Sequence, residues 1–265
     1  MWYCNDLTSL DYKSVEAKDI QIGTAQLTSA GSAAHLEIVR RWLRSCDSRA
    51  YPCKPGASAK LPKRLIQVGK AGDDTVNLRE TTSQDSGEWI ALSHQWGKRN
   101  FSTTQENLDD HIAGMKFEDL PATFKDAVTV TRALGHQYLW IDSLCIVQGK
   151  GGDFDQEAKR MEEYYSGANC VIAASCSADH YSGFLKGRKE RDSVTLCRQE
   201  STAPFHVCQL IDDFQGHVLN GDLHRRGWVL QEHALARRTI FFTKYQTYWE
   251  CGHGIRCETM TTLSK

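Results

Sequence analysis

The apolar and polar residues of this chain follow helical spacing first and strand-like spacing afterwards. Residues 33–46 place five large apolar side chains on one stripe at helical spacing, which predicts an amphipathic helix. After a loop with proline and glycine, residues 64–68 and 75–78 have the apolar character of short strands around a Gly-Asp-Asp turn. We therefore expect a helix and a small hairpin ahead of the main sheet.

Three longer apolar runs predict buried strands at residues 89–93, 138–141 and 170–175. A helical pattern separates the first two runs, and it begins after Pro121 and ends at Gly135. Two strands joined by a helix pair in parallel in the usual crossover. The sequence therefore predicts a βαβαβ core with a parallel sheet.

Further elements are predicted around that core. Residues 153–166 have the composition of a charged helix that Asp153 or Asp155 starts. Residues 226–232 have a helical pattern, and the apolar runs at 239–242 and 246–249 predict a C-terminal strand pair. The stretch 176–222 mixes polar and short apolar pieces and predicts no element.

The charge balance and the lack of long apolar segments narrow the classes of partner. The 265 residues include 32 Lys and Arg against 33 Asp and Glu, so no net field attracts nucleic acid or an anionic membrane. The N-terminal residues lack the basic and apolar regions of a signal peptide, and no apolar stretch approaches the roughly 18 residues of a membrane span. We expect a cytoplasmic protein with neither nucleic acid nor membrane as a partner.

The ten cysteines are scattered and include no CxxC pair, which favours buried thiols over disulfides or a zinc finger. Cys251, His253 and Cys257 form one tight group of soft ligands without a fourth, so a zinc site there is the less favoured interpretation. The chain also has no Gly-x-Ser-x-Gly elbow, Walker A loop, GxGxxG fingerprint or HExxH motif, which argues against the common hydrolase, NTPase, dehydrogenase and metalloprotease classes.

Four ordered blocks make the chain resemble the fungal heterokaryon incompatibility (HET) family. They are residues 91–97 (ALSHQWG), 120–127 (LPATFKDA), 138–146 (YLWIDSLCI) and 226–232 (RGWVLQE). The first block departs from the family pattern at His94 and Gln95. The resemblance implies a role in triggering growth arrest and death when genetically unlike fungal cells fuse, downstream of a recognition partner.

A more distant resemblance to TIR domains concerns the fold and its organisation. It implies a three-layer α/β fold, a flavodoxin/TIR-like parallel sheet flanked by helices, with a helix-hairpin elaboration at the N-terminus and a strand pair at the C-terminus. The expected organisation is an N-terminal extension at residues 1–32 and a HET domain at 33–265. The TIR-like core of that domain is expected at about 88–251.

The TIR resemblance also implies a chemistry. Many TIR domains cleave NAD+ with a glutamate that in some of them lies four residues after a tryptophan, and Trp228 and Glu232 have that spacing. A serine at the first strand end and an acidic residue after the second correspond to Ser93 and Asp142. Since ligands of open parallel sheets bind at the carboxyl ends of the strands, these groups are expected around one cavity.

The candidate site therefore has one catalytic residue, Glu232, and nine substrate-binding residues. The binding residues are Ser93, His94, Trp96, Gly97, Asp142, Ser143, Cys145, Ser175 and Trp228. Each also has a structural interpretation: the tryptophans as core aromatics, Asp142 as a helix cap, and Glu232 as the ion-pair partner of Arg225, Arg226 or Arg237. A Cys145 nucleophile paired with His94 is a further, less favoured alternative.

Two functions are compatible with these residues. The first is an NAD+ glycohydrolase, activated as a homo-oligomer with a recognition partner, that takes NAD+ or a related nucleotide as substrate and requires no metal or cofactor. The second is a non-enzymatic signalling module that acts by self-association and recruitment. Because TIR folds do both, the fold alone does not choose between them.

Overall fold

The structure is a computed structural model that describes residues 2–4, 21–22, 27–50, 53, 60–196, 205–209, 211–259 and 262–263. Within these ranges, ten strands form a central sheet and four form a second, smaller sheet. The described helices include none that is long and apolar enough to cross a bilayer.

The strands and helices have the following bounds. The strands are β1 (Trp2–Cys4), β2 (Gln21–Ile22), β3 (Arg64–Gln67), β4 (Thr75–Glu80), β5 (Trp89–Ser93), β6 (Met115–Lys116), β7 (Tyr138–Trp140), β8 (Cys170–Ala173), β9 (Ser193–Leu196), β10 (Phe205–Gln209), β11 (Arg238–Phe242), β12 (Thr247–Cys251), β13 (Gly254–Cys257) and β14 (Thr262–Leu263). The α-helices are α1 (Ala33–Asp47), α2 (Leu108–Ala113), α3 (Ala122–Leu134), α4 (Asp142–Cys145), α5 (Phe154–Glu157), α6 (Met161–Gly167) and α7 (Gly227–Leu235). Short 3-10 turns cover Phe117–Asp119, Ala158–Arg160 and Leu223–Arg225, and a π-helical turn covers Gln215–Leu219.

The central sheet has the strand order β14-β13-β12-β11-β8-β5-β7-β3-β4-β6. Strands β7, β5, β8 and β11 are parallel neighbours, which confirms the predicted βαβαβ core. The other pairs of this sheet are antiparallel, so the sheet is mixed, with the parallel strands at its centre. Short connections join most of the outer strands, and a short connection can only join antiparallel neighbours.

Two helices on the sheet follow directly from the local sequence. In α1, the apolar stripe buries Val39, Trp42 and Leu43, and the Ser32 side chain caps the first turn by accepting the His35 amide hydrogen. Helix α3 packs against α1 and ends at Gly135, whose φ of +83° is a left-handed C-cap conformation that glycine adopts without strain. Helices α6 and α7 form a second packed pair.

The helix predicted over residues 153–166 is present from Phe154 to Gly167, but a 3-10 turn at Ala158–Arg160 divides it into α5 and α6. The Asp153 carboxylate does not cap a helix. It accepts hydrogen bonds from Arg64 Nη2 at 2.5 Å and from the Val147 amide at 2.9 Å. Glu157 is buried and accepts a 2.6 Å hydrogen bond from the Tyr164 hydroxyl. Asp153 therefore ties the start of α5 to β3 and to Val147.

The predicted C-terminal strand pair is incomplete. β11 and β12 pair antiparallel as expected, but β13 and β14 extend the sheet beyond them. The unassigned stretch 176–222 contains β9, the described strand β10 and the π-helical turn. β1 and β2, from the segment 1–32, join β9 and β10 in the second sheet. The division of the chain at residue 32 stays a prediction.

Replacing Asp153 by alanine tests the contact between β3 and α5. Burial works to raise the pKa of Asp153, yet hydrogen bonds from Arg64 and Lys63 lower it to about 2. Since Arg64 is itself buried, Asp153→Ala is expected to reduce the free energy of unfolding by roughly 3 kcal/mol at pH 7. Because only the ionised carboxylate contributes, the difference from wild type should shrink as pH falls from about 4 towards 2.

Urea unfolding followed by circular dichroism measures this effect, with Asp155→Ala as the matched control. Asp155 lies on the same short helix and its side chain is exposed. An equal loss of stability in both variants, or a difference that does not change with pH, would refute the assignment.

Candidate functional site

The parallel register brings the ends of three strands to one level. Ala91 of β5 lies opposite Trp140 of β7, so two residues later Ser93 and Asp142 reach the same edge of the sheet. On the other side of β5, Ser93 lies opposite Ala173 of β8, and its carbonyl accepts the Ala174 amide hydrogen at 2.9 Å. The side chains that follow these strands therefore share one site.

Helix α7 places a carboxylate against that edge. The Ser93 hydroxyl donates a 2.5 Å hydrogen bond to Glu232 Oε2, and both residues are buried. The start of the helix is held by Arg226, whose Nη1 donates to the His94 carbonyl at 2.8 Å. Glu232 is thus attached to β5 from a segment 139 positions later in the chain.

A second carboxylate, Asp142, lies at the tip of β7 and begins α4. Its Oδ2 accepts a 2.9 Å hydrogen bond from the Trp96 indole, and its Oδ1 accepts the Ser143 amide hydrogen at 2.7 Å. His94 Nδ1 lies 3.9 Å from Asp142 Oδ1. The loop after β5 and the loop after β7 are therefore tied together at the site.

These groups border a cavity of about 560 Å³. The predicted site residues that line it are Trp96, Asp142 and Glu232. The other lining residues come mainly from the β7–α6 connection, with Arg226 at the start of α7: Ile146, Gln148, Gly149, Phe154, Ala158, Met161 and Arg226. The lining thus combines apolar side chains with two carboxylates and one guanidinium, and the volume of the cavity is in the range of small-molecule sites.

Burial sets the protonation of the two carboxylates. Desolvation is the main reason that the pKa of Glu232 is raised to about 7, and the nearby charge of Asp142 raises it further, against the Ser93 hydrogen bond and the Arg226 charge. Desolvation also raises the pKa of Asp142, against the hydrogen bonds from Trp96 and the Ser143 amide. Glu232 therefore changes charge near neutral pH.

The histidines beside the site are neutral. Burial lowers the pKa of His94 to about 3, and the charge of Arg226 lowers it further. His180 packs on it at 4.9 Å between ring centroids, and burial lowers its pKa to about 4. Both rings also contact Phe124 of α3. They form an apolar support beneath the loop after β5 and supply no positive charge at pH 7.

Several predicted site residues lie beside the cavity without lining it. Ser143 and Ser175 have buried hydroxyls with no hydrogen-bond partner among the described residues. A Cβ at Gly97, where φ is +73°, would overlap Asp179, so this glycine permits a close approach of two loops. The Trp228 side chain lies outside the described part of the structure.

Cys145 has the surroundings of a structural thiol. Its sulfur accepts the Ile141 amide hydrogen at 3.5 Å, and burial raises the pKa of the thiol to about 12. A nucleophilic cysteine requires the opposite shift, and His94 is neutral at pH 7. The arrangement gives no support to the alternative of a Cys145–His94 pair.

Sequence reasoning missed three residues of the site. Arg226 was considered only as an ion-pair partner, although its place two residues before the tryptophan of the fourth block could have indicated it. Tyr165 lies beside Glu232, and its hydroxyl donates a hydrogen bond to the Leu92 carbonyl at 3.3 Å. His180 falls in the stretch without a pattern, so no local signal indicated it.

Comparison with known proteins gives one result. A family model described as "Heterokaryon incompatibility protein (HET)" matches residues 89–232. The matched segment is more than half of the 265 residues and runs from the first residue of β5 to the buried glutamate of α7. No curated protein and no solved structure matches the chain significantly.

Stability should depend on pH through Glu232. Because the pKa of the folded state is raised from 4.5 to about 7, the folded state holds this proton more tightly, and the free energy of unfolding should fall as pH rises from about 4.5 to 7. Glu232→Gln keeps an acceptor for Ser93 but carries no charge. The decrease in the free energy of unfolding, on the order of 3 kcal/mol, should therefore be absent from this variant. Urea unfolding of both proteins between about pH 3.5 and 8, roughly one unit on either side of this window, measures the effect.

Glu163→Gln is the control, since Glu163 is an exposed glutamate on α6 and its loss should leave the pH dependence as in wild type. If the curve of Glu232→Gln parallels that of wild type over the whole range, the buried carboxyl is not the group that titrates.

Proposed function

Because the chain belongs to the heterokaryon incompatibility (HET) family, we propose that it acts in heterokaryon incompatibility as a cell-death-inducing NAD+ glycohydrolase with Glu232 as its catalytic residue. The observation that carries the proposal is the buried Ser93–Glu232 hydrogen bond beside Asp142, at the carboxyl ends of the parallel strands and at the mouth of a cavity. Perturbed carboxylates in a cavity are typical of functional sites.

The strand order supports a flavodoxin/TIR-like fold for this proposal. Numbered along the chain, the four parallel strands have the spatial order 2-1-3-4, as in the first four strands of doubly wound flavodoxin-like sheets. In such sheets the ligand binds where the strand order reverses, between the first and third strands. Here these are β5 and β8, and Ser93 ends the first of them.

Release of nicotinamide is a glycosidic cleavage that one carboxylate can assist. The bond between ribose C1′ and the nicotinamide nitrogen breaks, neutral nicotinamide leaves with the electron pair, and water adds to C1′ and loses a proton to give ADP-ribose. The transition state resembles an oxocarbenium ion. An ionised Glu232 would stabilise that positive charge and hold the ribose hydroxyls, while the Ser93 hydrogen bond fixes the carboxylate in one orientation.

Other groups at the cavity suit the remaining parts of a dinucleotide. Nη1 of Arg226 is engaged by the His94 carbonyl, and its other N–H groups have no hydrogen-bond partner among the described residues. A guanidinium in this position matches the pyrophosphate. The half-buried Trp96 is fixed by Asp142 and offers a ring for stacking, and Phe154 and Met161 add apolar side chains to the lining of the same cavity.

Glu232→Gln is expected to lower the rate of nicotinamide release by roughly 100- to 1,000-fold, because it removes the charge opposite the developing cation and keeps the shape of the side chain. Purified protein, assembled by crowding or by fusion to an oligomerising domain, is incubated with NAD+ and nicotinamide is measured by chromatography. Glu163→Gln, an exposed glutamate on α6, is the matched control and should retain full turnover.

Equal turnover by wild type and Glu232→Gln would remove Glu232 from the mechanism. If neither protein releases nicotinamide while both kill cells on expression, the signalling module that works by self-association and recruitment is the correct function. Activation through a homo-oligomer and a recognition partner is part of the proposal, which is why the assay includes assembled protein.

The rate should also report the ionisation of Glu232. Since the carboxylate is the active form and its pKa is about 7, kcat/KM should rise by about tenfold per unit below pH 7 and level off above it. Steady-state rates from pH 5 to 9 in buffers of constant ionic strength measure the profile. A profile flat across about pH 6–8 would contradict a role for this carboxylate in the rate-limiting step.

A further inference from the structure

Three cysteines from distant parts of the sequence meet at the opposite end of the parallel strands. Cys46 lies in the last turn of α1, Cys53 follows in the next loop, and Cys251 ends β12. Their sulfur atoms all lie within 4.8 Å of one another. Cys251 pairs with Arg238, the first residue of β11, so the cluster is at the amino ends of the strands and far along the sheet from Ser93.

The spacing of the sulfurs is close to that of a metal-bound set. Metal–sulfur bonds of about 2.3 Å in tetrahedral geometry place the sulfurs roughly 3.8 Å apart. Side-chain rotations that move each sulfur by less than about 1 Å would therefore bring the three sulfurs to metal-binding distances. Cys46 and Cys251 are buried and Cys53 is half-buried, so the set is protected on one side and accessible on the other.

The backbone beside these sulfurs leaves room for them and donates a hydrogen bond to one of them. The His253 amide donates to Cys251 Sγ at 3.4 Å. A Cβ at Gly252 would lie 3.3 Å from Cys53 Sγ, so the absence of a side chain keeps this approach open. Amide hydrogen bonds of this kind stabilise the negative charge of a metal-bound sulfur.

We propose that Cys46, Cys53 and Cys251 bind one zinc ion as three thiolates, with solvent as the fourth ligand. Thiolates are preferred ligands of zinc, and a site with three protein ligands keeps one position open. Cys53 and Cys251 also line a second cavity of about 470 Å³, which supplies water to that position. Binding releases the thiol protons, so affinity decreases as pH falls.

This set differs from the local group Cys251, His253 and Cys257. Cys257 is buried elsewhere, with its sulfur 2.9 Å from the Thr259 hydroxyl and 3.2 Å from Asp212. In the antiparallel pair β12–β13, Cys251 lies beside the turn and Cys257 lies at the far end, so the two cysteines are apart although they are close in sequence. Cys251 instead lies beside two cysteines about 200 positions earlier in the chain.

A titration with cadmium, a spectroscopic substitute for zinc, tests the proposal. Reduced, metal-free protein should bind one Cd2+ with sulfur-to-metal charge-transfer absorption, and Zn2+ should displace it. Cys53→Ser should weaken Cd2+ binding by roughly 100-fold. Cys176→Ser is the matched control, because Cys176 is also half-buried and its sulfur interacts with the Phe184 carbonyl instead.

Thermal unfolding without metal shows whether each variant is folded, and the half-buried position of Cys53 makes it the variant of choice. Wild-type protein without charge-transfer absorption, or equal affinity in wild type and Cys53→Ser, would overturn the proposal. So would a disulfide among the three cysteines in protein purified without reductant, if reduction then yields no Cd2+ binding. None of these outcomes depends on NAD+ cleavage.

Discussion

The parallel pairing of β5 with β7 on one side and β8 on the other determines where the polar groups of this protein lie. All five residues of β5 are buried, and the backbone leaves the sheet after Ser93. In a parallel sheet, the strands end at the same edge. Ser93, Asp142 and the residues after Ala173 therefore meet at this edge although they are far apart in the sequence.

The ionisable groups at that edge lie where their charged forms are poorly solvated. Two carboxylates and an arginine lie in a buried region where desolvation opposes ionisation, and the pKa of Glu232 rises to about 7 as a result. Two neighbouring carboxylates that are both desolvated are better satisfied by a cationic ligand than by each other. The nicotinamide ring of NAD+ carries such a charge, which relates the electrostatics of the site to the proposed reaction.

The two ends of the parallel strands have different chemistry. The carboxyl ends hold oxygen ligands and aromatic rings around one cavity, and the amino ends hold three thiols beside another. Helix α1 contributes to the thiol end and helix α7 to the carboxylate end. The sheet therefore separates the proposed thiolate metal site from the oxygen-rich site. Because the two sites do not touch, a mutation in one does not directly alter the other.

The sequence alone determined the elements whose pattern is local: α1, α3, α7, the core strands β5, β7 and β8, and the polar residues at the ends of those strands. Their apolar runs are long enough, and their capping residues clear enough, for residues close in sequence to determine each element. It also indicated Glu232 as a candidate, through a motif. Only the tertiary structure decided that Ser93 holds Glu232, that Arg226 lines the cavity, that a 3-10 turn divides the helix over residues 154–167, and that Cys46 and Cys53 meet Cys251. These contacts join residues up to about 200 positions apart, and their energies come from burial and pairing that exist only after the chain has folded.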